Sequence, residues 1–137
     1  MADNTIEQIA PDDLVPWSRN ARTHSKKQLR QIADSIERFG FTNPVLIDRA
    51  NRILAGHGRV AAAQLLGMAT VPCLRFEHMS KTEKRAYVLA DNKLALNAGW
   101  DEDILAAELG ALLESPDLDF DIGVTGFSVA EIDLCLE

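Results

Sequence analysis

A short apolar segment that passes through two glycines into a run of small residues constrains this 137-residue chain more than any other feature. The segment reads Ile53-Leu54-Ala55-Gly56-His57-Gly58-Arg59 and continues as Val60-Ala61-Ala62-Ala63-Gln64-Leu65-Leu66-Gly67. We interpret it as a strand, a glycine turn and a helix, because glycine adopts positive φ and leaves no Cβ in the way of a ligand. A helix that begins there offers unpaired N–H groups and a positive dipole end to an anion. The pattern predicts either a phosphate-binding turn or a plain corner between a strand and a helix.

Two side chains of this turn are candidate ligand groups. Arg59 would add a guanidinium fork at the start of the helix, which suits a phosphate. His57 lies between two glycines and could donate to a phosphate or act as a general acid or base, so we predict it as the catalytic candidate. A polar loop histidine that binds no ligand is the alternative.

Periodicity and turn residues elsewhere predict a mixed α/β fold. Strands are expected at about 6–10, 44–48, 52–55 and 71–76, and helices at 26–39 and 59–66. Ser25 would begin the first helix with Gln28 as its capping-box partner, and Gly67 would end the second. The strands at 44–48 and 52–55 should pair as a hairpin through Asn51, a residue suited to tight turns.

The C-terminal part reads as further helices. Ser80 would begin one that runs towards Asp91, Asp101 would cap the next, and Ser128 would begin the last. The last helix has no stop signal before the chain ends, so we expect a fragment of a longer protein. We expect two domains, residues 1–97 and an acidic helical extension at 98–137 that leads towards a missing C-terminal domain.

Several dispersed motifs, in this order and spacing, resemble the ParB N-terminal domain of the ParB/sulfiredoxin superfamily. They are Asn20-Ala21-Arg22, Gly40-Phe41-Thr42-Asn43-Pro44, Gly56-His57-Gly58-Arg59 and Asp91-Asn92-Lys93-Leu94-Ala95. The resemblance covers about residues 6–100 and is closest to the ParB-like domain at the head of phage and prophage DNA-modification methylases, whose typical run is similar to residues 90–101 here. It implies a small ParB/sulfiredoxin-like sheet packed by helices.

The resemblance also implies a ligand, because ParB domains hold a nucleotide triphosphate, typically CTP with magnesium. The implied nucleotide-binding residues are Gly56, His57, Gly58, Arg59, Asn20, Arg22, Asn43 and Asn92, with Asp91 as the magnesium ligand. CTP and ATP both stay open as the nucleotide. Asp91 and Asn92 carry the hard oxygen ligands that magnesium prefers, but they would equally fit a helix C-terminus. Asn20 and Arg22 would equally fit a solvated charge run.

This chain lacks several of the charged residues that the family has at its binding positions. His57 stands where the family has a glutamate, and three small residues stand where it has arginines, namely Gly58, Ala61 and Ala95. Each lost charge-assisted hydrogen bond removes about 1.5–3 kcal/mol of binding free energy. We therefore expect weaker CTP binding than in the partition proteins.

Charge and cysteine content limit the partners. All 14 Lys and Arg lie at or before Lys93, whereas residues 94–137 carry 11 acidic residues and no basic one. An anionic ligand would bind the first part and be repelled by the last.

Cys73 and Cys135 give neither a disulfide framework nor a zinc cluster, and nothing indicates haem. The sulfiredoxin reaction is not expected, because His57 and Gly58 occupy the positions of its cysteine and histidine.

Three functions stay open at this point. The first is a nucleotide- and phosphate-binding regulatory domain of a DNA methylase, not catalytic alone, which contacts DNA through a larger assembly and forms a homodimer. The second is a metal-dependent nuclease or a nucleotide triphosphatase that uses His57 and Asp91. The third is a protein-interaction module without a ligand.

No apolar run approaches the roughly 18 residues that a membrane span needs, and residues 1–4 lack the features of a secretory signal, so we expect a cytoplasmic protein.

Overall fold

A computed structural model describes residues 5–20 and 22–137. Residues 1–4, which we expect to lack a secretory signal, and Ala21 of the Asn-Ala-Arg motif therefore lie outside the described residues. The chain folds into two compact units, Met1–Asn97 and Ala98–Glu137. The first unit contains the sheet, and the second is helical.

The sheet has four strands in the order β1-β4-β2-β3. The strands are β1 (Glu7–Ile9), β2 (Val45–Ile47), β3 (Ile53–Ala55) and β4 (Val71–Arg75). β4 pairs antiparallel with β1 and parallel with β2, while β2 pairs antiparallel with β3. All four lie within the predicted ranges, and the predicted mixed α/β class is confirmed.

The β2–β3 hairpin forms as predicted. Asn51 has φ of +63°, a left-handed conformation that asparagine adopts more readily than most residues. Asp48, whose burial no sequence pattern indicates, is fully buried beside it and accepts hydrogen bonds from the N–H groups of Ala50 and Arg52. It also binds Arg52 Nε at 2.8 Å and Lys84 Nζ at 3.2 Å. Burial alone would raise the pKa of Asp48, but these donors together lower it.

Two helices pack together beside the sheet. These are α1 (Lys26–Phe39) and α2 (His57–Leu66). The core cluster joins Val60 and Ala63 of α2 to strand residues that include Val45, Ile47 and Val71. Leu65 at the end of α2 is more than half exposed, so this apolar helix is not buried on every side.

α3 (Lys81–Asn97) begins directly after Ser80 and extends beyond Asp91, towards which it was predicted to run. Ser80 and Glu83 make both hydrogen bonds of the predicted capping box. The helix continues to Asn97, so Asp91 and Asn92 lie in its interior. The alternative that placed these two residues at a helix C-terminus is wrong.

The second unit contains α4 (Glu102–Glu114) and α5 (Val129–Leu136), which pack against each other. A short 3₁₀ turn, Ile122–Thr125, lies between them in sequence. Asp101 caps α4 and Ser128 with Glu131 forms the capping box of α5, both as predicted. No helix in the described part of the chain has the length and hydropathy that a membrane crossing requires.

Candidate functional site

A cavity of about 260 Å³ lies in the first unit, where the end of β3 turns into α2. Its lining includes eight of the nine predicted site residues, which are Asn20, Arg22, Gly56, His57, Gly58, Arg59, Asp91 and Asn92. Asn43 is the exception, because it is exposed in the bend before β2 and does not line the cavity. Segments far apart in sequence are thus brought to one place.

The glycine turn forms as predicted at Gly56. This residue has φ of +108° and is the N-cap of α2, which begins at His57, two residues earlier than predicted. No side chain of the described residues caps the helix. The N–H groups of the first turn therefore lack intrahelical partners at the point where the cavity opens, an arrangement that favours an anion.

Arg59 lies over this turn and is held at one end only. Its Nη2 donates to the carbonyl oxygen of Pro44 at 3.1 Å, whereas its buried Nε has no hydrogen-bond partner among the residues that the structure describes. Burial lowers the pKa of Arg59, opposed by the charges of Asp91 and Tyr87. A buried guanidinium N–H without a partner costs free energy that an anionic ligand would recover.

The two glycines serve different purposes. A Cβ on Gly56 would lie 3.0 Å from Arg59 Nη2, so the absent side chain makes room for the guanidinium. Gly58 is inside the helix, and a Cβ there would lie 3.0 Å from His24 Cε1 and from Ile32 Cδ1. The expectation that both glycines supply positive φ therefore holds for Gly56 alone.

His24 lines the cavity although it is not among the predicted site residues. Its Nδ1 is 3.1 Å from Gln28 Oε1. Ser25 accepts from the Gln28 N–H, so half of the predicted capping box forms, while the Gln28 side chain pairs with His24. The spacing of His24 and Gln28, four residues apart around a helix start, is the signal that could have identified this pair.

His57 is held by the backbone of a distant segment. Its Nε2 accepts a hydrogen bond from the Trp17 N–H at 3.0 Å, which requires the proton of the neutral ring to be on Nδ1. Burial, followed by the charge of His24, lowers the pKa of His57. The ring is therefore neutral near pH 7 and joins the loop at Trp17 to the start of α2.

Polar side chains from two other segments complete the lining. Asn20 Oδ1 accepts from the Arg22 N–H at 3.3 Å, which leaves the Asn20 amide hydrogens for a ligand. Asn92 Nδ2 donates to the Val88 carbonyl oxygen at 3.0 Å, which leaves Asn92 Oδ1 available next to Asp91. Among the described residues, no group of three or more His, Cys, Asp or Glu side chains could hold a metal ion.

The cysteines take no part in this site. Cys73 is buried in β4, and burial raises its pKa to about 11, so the thiol stays protonated and unreactive. Cys135 is free and half-buried. Thiol chemistry at the cavity has no candidate residue in its lining.

Family models match both parts of the chain. A model described as the ParB N-terminal domain matches residues 1–93, and one described as the ParB-methyltransferase HTH domain matches residues 103–137. The ParB-like nuclease domain-containing protein YnaK of Escherichia coli is 48% identical over 73 residues, which are 53% of this chain and 84% of that protein. Stage 0 sporulation protein J of Bacillus subtilis is 29% identical over 96 residues, 67% of this chain but only 34% of that protein.

The fold has a match among solved structures. The C-terminally truncated chromosome-partitioning protein ParB from Caulobacter crescentus, complexed with CTP-gamma-S, superposes with a TM-score of 0.76 at 21% identity. The match covers 96% of this chain and 77% of that one. At this identity the likeness shows the fold, and the predicted ParB-like architecture is confirmed.

Proposed function

The chain belongs to the ParB N-terminal domain family, in its methylase-associated form, and from this premise we propose that it is a regulatory domain that binds a nucleotide triphosphate. The nucleotide phosphates would lie at the start of α2, against Gly56, Gly58 and Arg59. Asn20, Arg22 and Asn92 would line the rest of the ligand.

The observation that carries this proposal is the unpartnered Nε of Arg59. The atom is buried, the guanidinium is anchored to Pro44 on one side, and the uncapped first turn of α2 adjoins it. A phosphate there would accept from Nε and from backbone N–H groups at once, and such charge-assisted bonds are about twice as strong as neutral ones. A plain corner between a strand and a helix requires no such unpaired donor.

A nucleotide is preferred to a bare phosphate for two reasons. The cavity extends beyond the phosphate-binding turn to Ile32, Leu54 and Ala95, so it offers apolar surface to a larger ligand. The solved ParB of Caulobacter crescentus with this fold is complexed with CTP-gamma-S. CTP is therefore the first candidate, and ATP is the alternative.

Magnesium would accompany the nucleotide, with Asp91 as its protein ligand. The Asp91 carboxylate and Asn92 Oδ1 are hard oxygen donors in the cavity lining, and the nucleotide's phosphates would complete the coordination. Bound magnesium would neutralise phosphate charge. The negative charge of Asp91 also raises the pKa of Arg59, against the larger effect of burial.

Calorimetric titration of the full chain with CTP, ATP and GTP in magnesium buffer tests the proposal. We expect saturable heat with at least one nucleotide, and loss of about tenfold or more in affinity in Arg59→Ala, since about 1.5–3 kcal/mol is lost with a charged hydrogen bond. Arg49→Ala is the matched control, because Arg49 is exposed and lies outside the cavity. Equal affinities of the two variants would refute the assignment.

We propose that the whole protein acts in DNA modification. The segment matched by the ParB-methyltransferase HTH model supports this, because helix-turn-helix motifs place a helix in the DNA major groove. A downstream methylase domain and a homodimer remain part of this proposal. The nuclease alternative is not favoured, because the described residues lack the clustered carboxylates that a two-metal site needs.

A further inference from the structure

A second, smaller cleft in the first unit is lined by cations and one aromatic ring. Its volume is about 160 Å³, and its lining residues are Trp17, Ser18, Arg19, Arg52, Lys81 and Arg85. None of the nucleotide-site residues lines it. Four of the six lining residues are basic and none is acidic, so the cleft concentrates positive charge in a chain whose net charge is −7.

Three of these cations have no acidic partner among the described residues. Arg52 is paired with buried Asp48, but no carboxylate of the described residues forms an ion pair with Arg19, Lys81 or Arg85. Lys81 is the first residue of α3, where the positive dipole end of the helix disfavours a cation. The arrangement costs free energy in the isolated chain, and an anion bound in the cleft would relieve the repulsion.

The aromatic ring identifies the kind of anion. Trp17 is half-buried, and the Arg52 guanidinium stacks over its ring at 5.7 Å from the centroid. An indole ring beside phosphate-binding cations is the combination with which proteins hold nucleic-acid strands, because sugars and bases pack on the ring while the cations contact phosphates. We propose that this cleft binds the sugar-phosphate backbone of nucleic acid, separately from the nucleotide cavity.

A free phosphate or nucleotide fits the cleft less well. Ser80 and Glu83 already satisfy the start of α3 through their capping box, so the helix offers fewer unpaired N–H groups than the uncapped α2. The cations Arg19, Lys81 and Arg85 are exposed on flexible side chains, which suits a backbone passing over the surface. The cleft is also smaller than the cavity proposed for the nucleotide.

Fluorescence anisotropy with a short fluorescein-labelled single-stranded oligonucleotide of arbitrary sequence tests this site in the full chain. The cleft variant is Lys81→Gln/Arg85→Gln, and the control Lys26→Gln/Lys27→Gln removes the same charge from the exposed start of α1. We expect the cleft variant to bind at least about fivefold more weakly and to reduce the salt slope of binding by about 1–2, since each phosphate contact of a single strand contributes about 0.7. The control should change affinity by less than about twofold.

Binding through residues 103–137 would persist in both double variants, so the comparison between them isolates the cleft. Equal affinities in the two would overturn the proposal, because net charge alone would then explain the binding. Displacement of the oligonucleotide by a low concentration of inorganic phosphate or CTP, lost in the cleft variant, would also overturn the proposal in favour of a small ligand. CTP titration of the cleft variant keeps this test separate from that of the nucleotide cavity, whose affinity should be unchanged.

Tryptophan fluorescence gives a second readout that does not depend on affinity. The chain has two tryptophans, Trp17 in the cleft and Trp100 in the second unit, so Trp100→Phe leaves Trp17 as the single reporter. We expect unlabelled oligonucleotide to change the Trp17 emission in this background. When Lys81→Gln/Arg85→Gln is added to this background, oligonucleotide should no longer change the Trp17 emission. The same emission change with and without these two substitutions would contradict the proposed site.

Discussion

At the residue scale, the site depends on one arginine that is fixed in place but has a hydrogen-bond donor left without an acceptor. Arg59 is fixed by Pro44 and by the absence of a side chain on Gly56, so its unpaired Nε is positioned before any ligand arrives. Preorganised donors bind more tightly because less conformational entropy is lost on binding. The glycine therefore contributes to binding through the arginine as well as through its own backbone.

Replacing Gly56 with alanine should affect both stability and binding. The residue has φ of +108°, which an L side chain rarely adopts, and the new Cβ would meet Arg59 Nη2 at 3.0 Å. We expect the free energy of unfolding to fall by about 1–3 kcal/mol in a urea titration, and the affinity for nucleotide to fall with it.

Gly67→Ala is the matched control for this substitution. Gly67 has φ of +70° and no neighbour within 4 Å of its would-be Cβ, so it carries the backbone strain without the contact with Arg59. A similar loss of stability with unchanged nucleotide affinity is expected. Loss of nucleotide binding in Gly67→Ala would show that strain in α2, and not the Arg59 position, controls the site.

At the element scale, one hydrogen bond joins the loop at Trp17 to the start of α2. Trp17 N–H donates to His57 Nε2, and the same loop continues to Asn20 on the wall of the nucleotide cavity. Trp17 also lines the basic cleft. The loop is therefore the structural element that the two proposed sites share.

Burial of the His57 ring should make stability depend on pH. The pKa of His57 is lowered from its ordinary value of 6.5, so below that pH the unfolded chain takes up the proton that the folded ring resists. The unfolded state then binds more protons, and the free energy of unfolding falls as the pH decreases. Urea titrations at about pH 7.5 and about pH 5.5 should show this loss.

His57→Gln should reduce the loss, because glutamine can accept from the Trp17 N–H and does not titrate in this range. His78→Gln is the control and should retain the full pH dependence. If His57→Gln and the wild type lose equal stability on acidification, protonation of His57 does not weaken the folded state.

At the scale of the whole molecule, charge is divided unequally between the two units. All 11 acidic residues after Lys93 lie in a segment without Lys or Arg, whereas the residues up to Lys93 carry 14 basic and 10 acidic ones. Unbalanced charge destabilises a compact state through self-repulsion, and salt screens that repulsion. The second unit should therefore gain more stability from salt than the first.

The two tryptophans allow this prediction to be measured. Trp100 contacts Phe127 in the second unit with ring centroids 5.3 Å apart, and Trp17 lies in the first unit. In Trp17→Phe, raising NaCl from about 0.05 to about 0.5 M should increase the thermal midpoint reported by Trp100. The midpoint reported by Trp17 in Trp100→Phe should increase less, and equal increases would contradict the prediction.

The sequence by itself determined the elements and most of the site. Gly67 and Asn51 fix where a helix ends and where the hairpin turns, because their backbone preferences are local. The spacing of apolar residues assigned the strands for the same reason. Resemblance to ParB motifs selected eight residues that the structure brings to one cavity.

Only the tertiary structure decided which polar groups meet across long sequence separations. The Trp17–His57 hydrogen bond, the cations gathered from residues 19, 52, 81 and 85, and the pairing of buried Asp48 with Lys84 have no local signal. It also placed Asn43 outside the cavity and showed that Gly58 makes room for His24 and Ile32. These contacts depend on how helices pack on the sheet, which periodicity and capping residues do not specify.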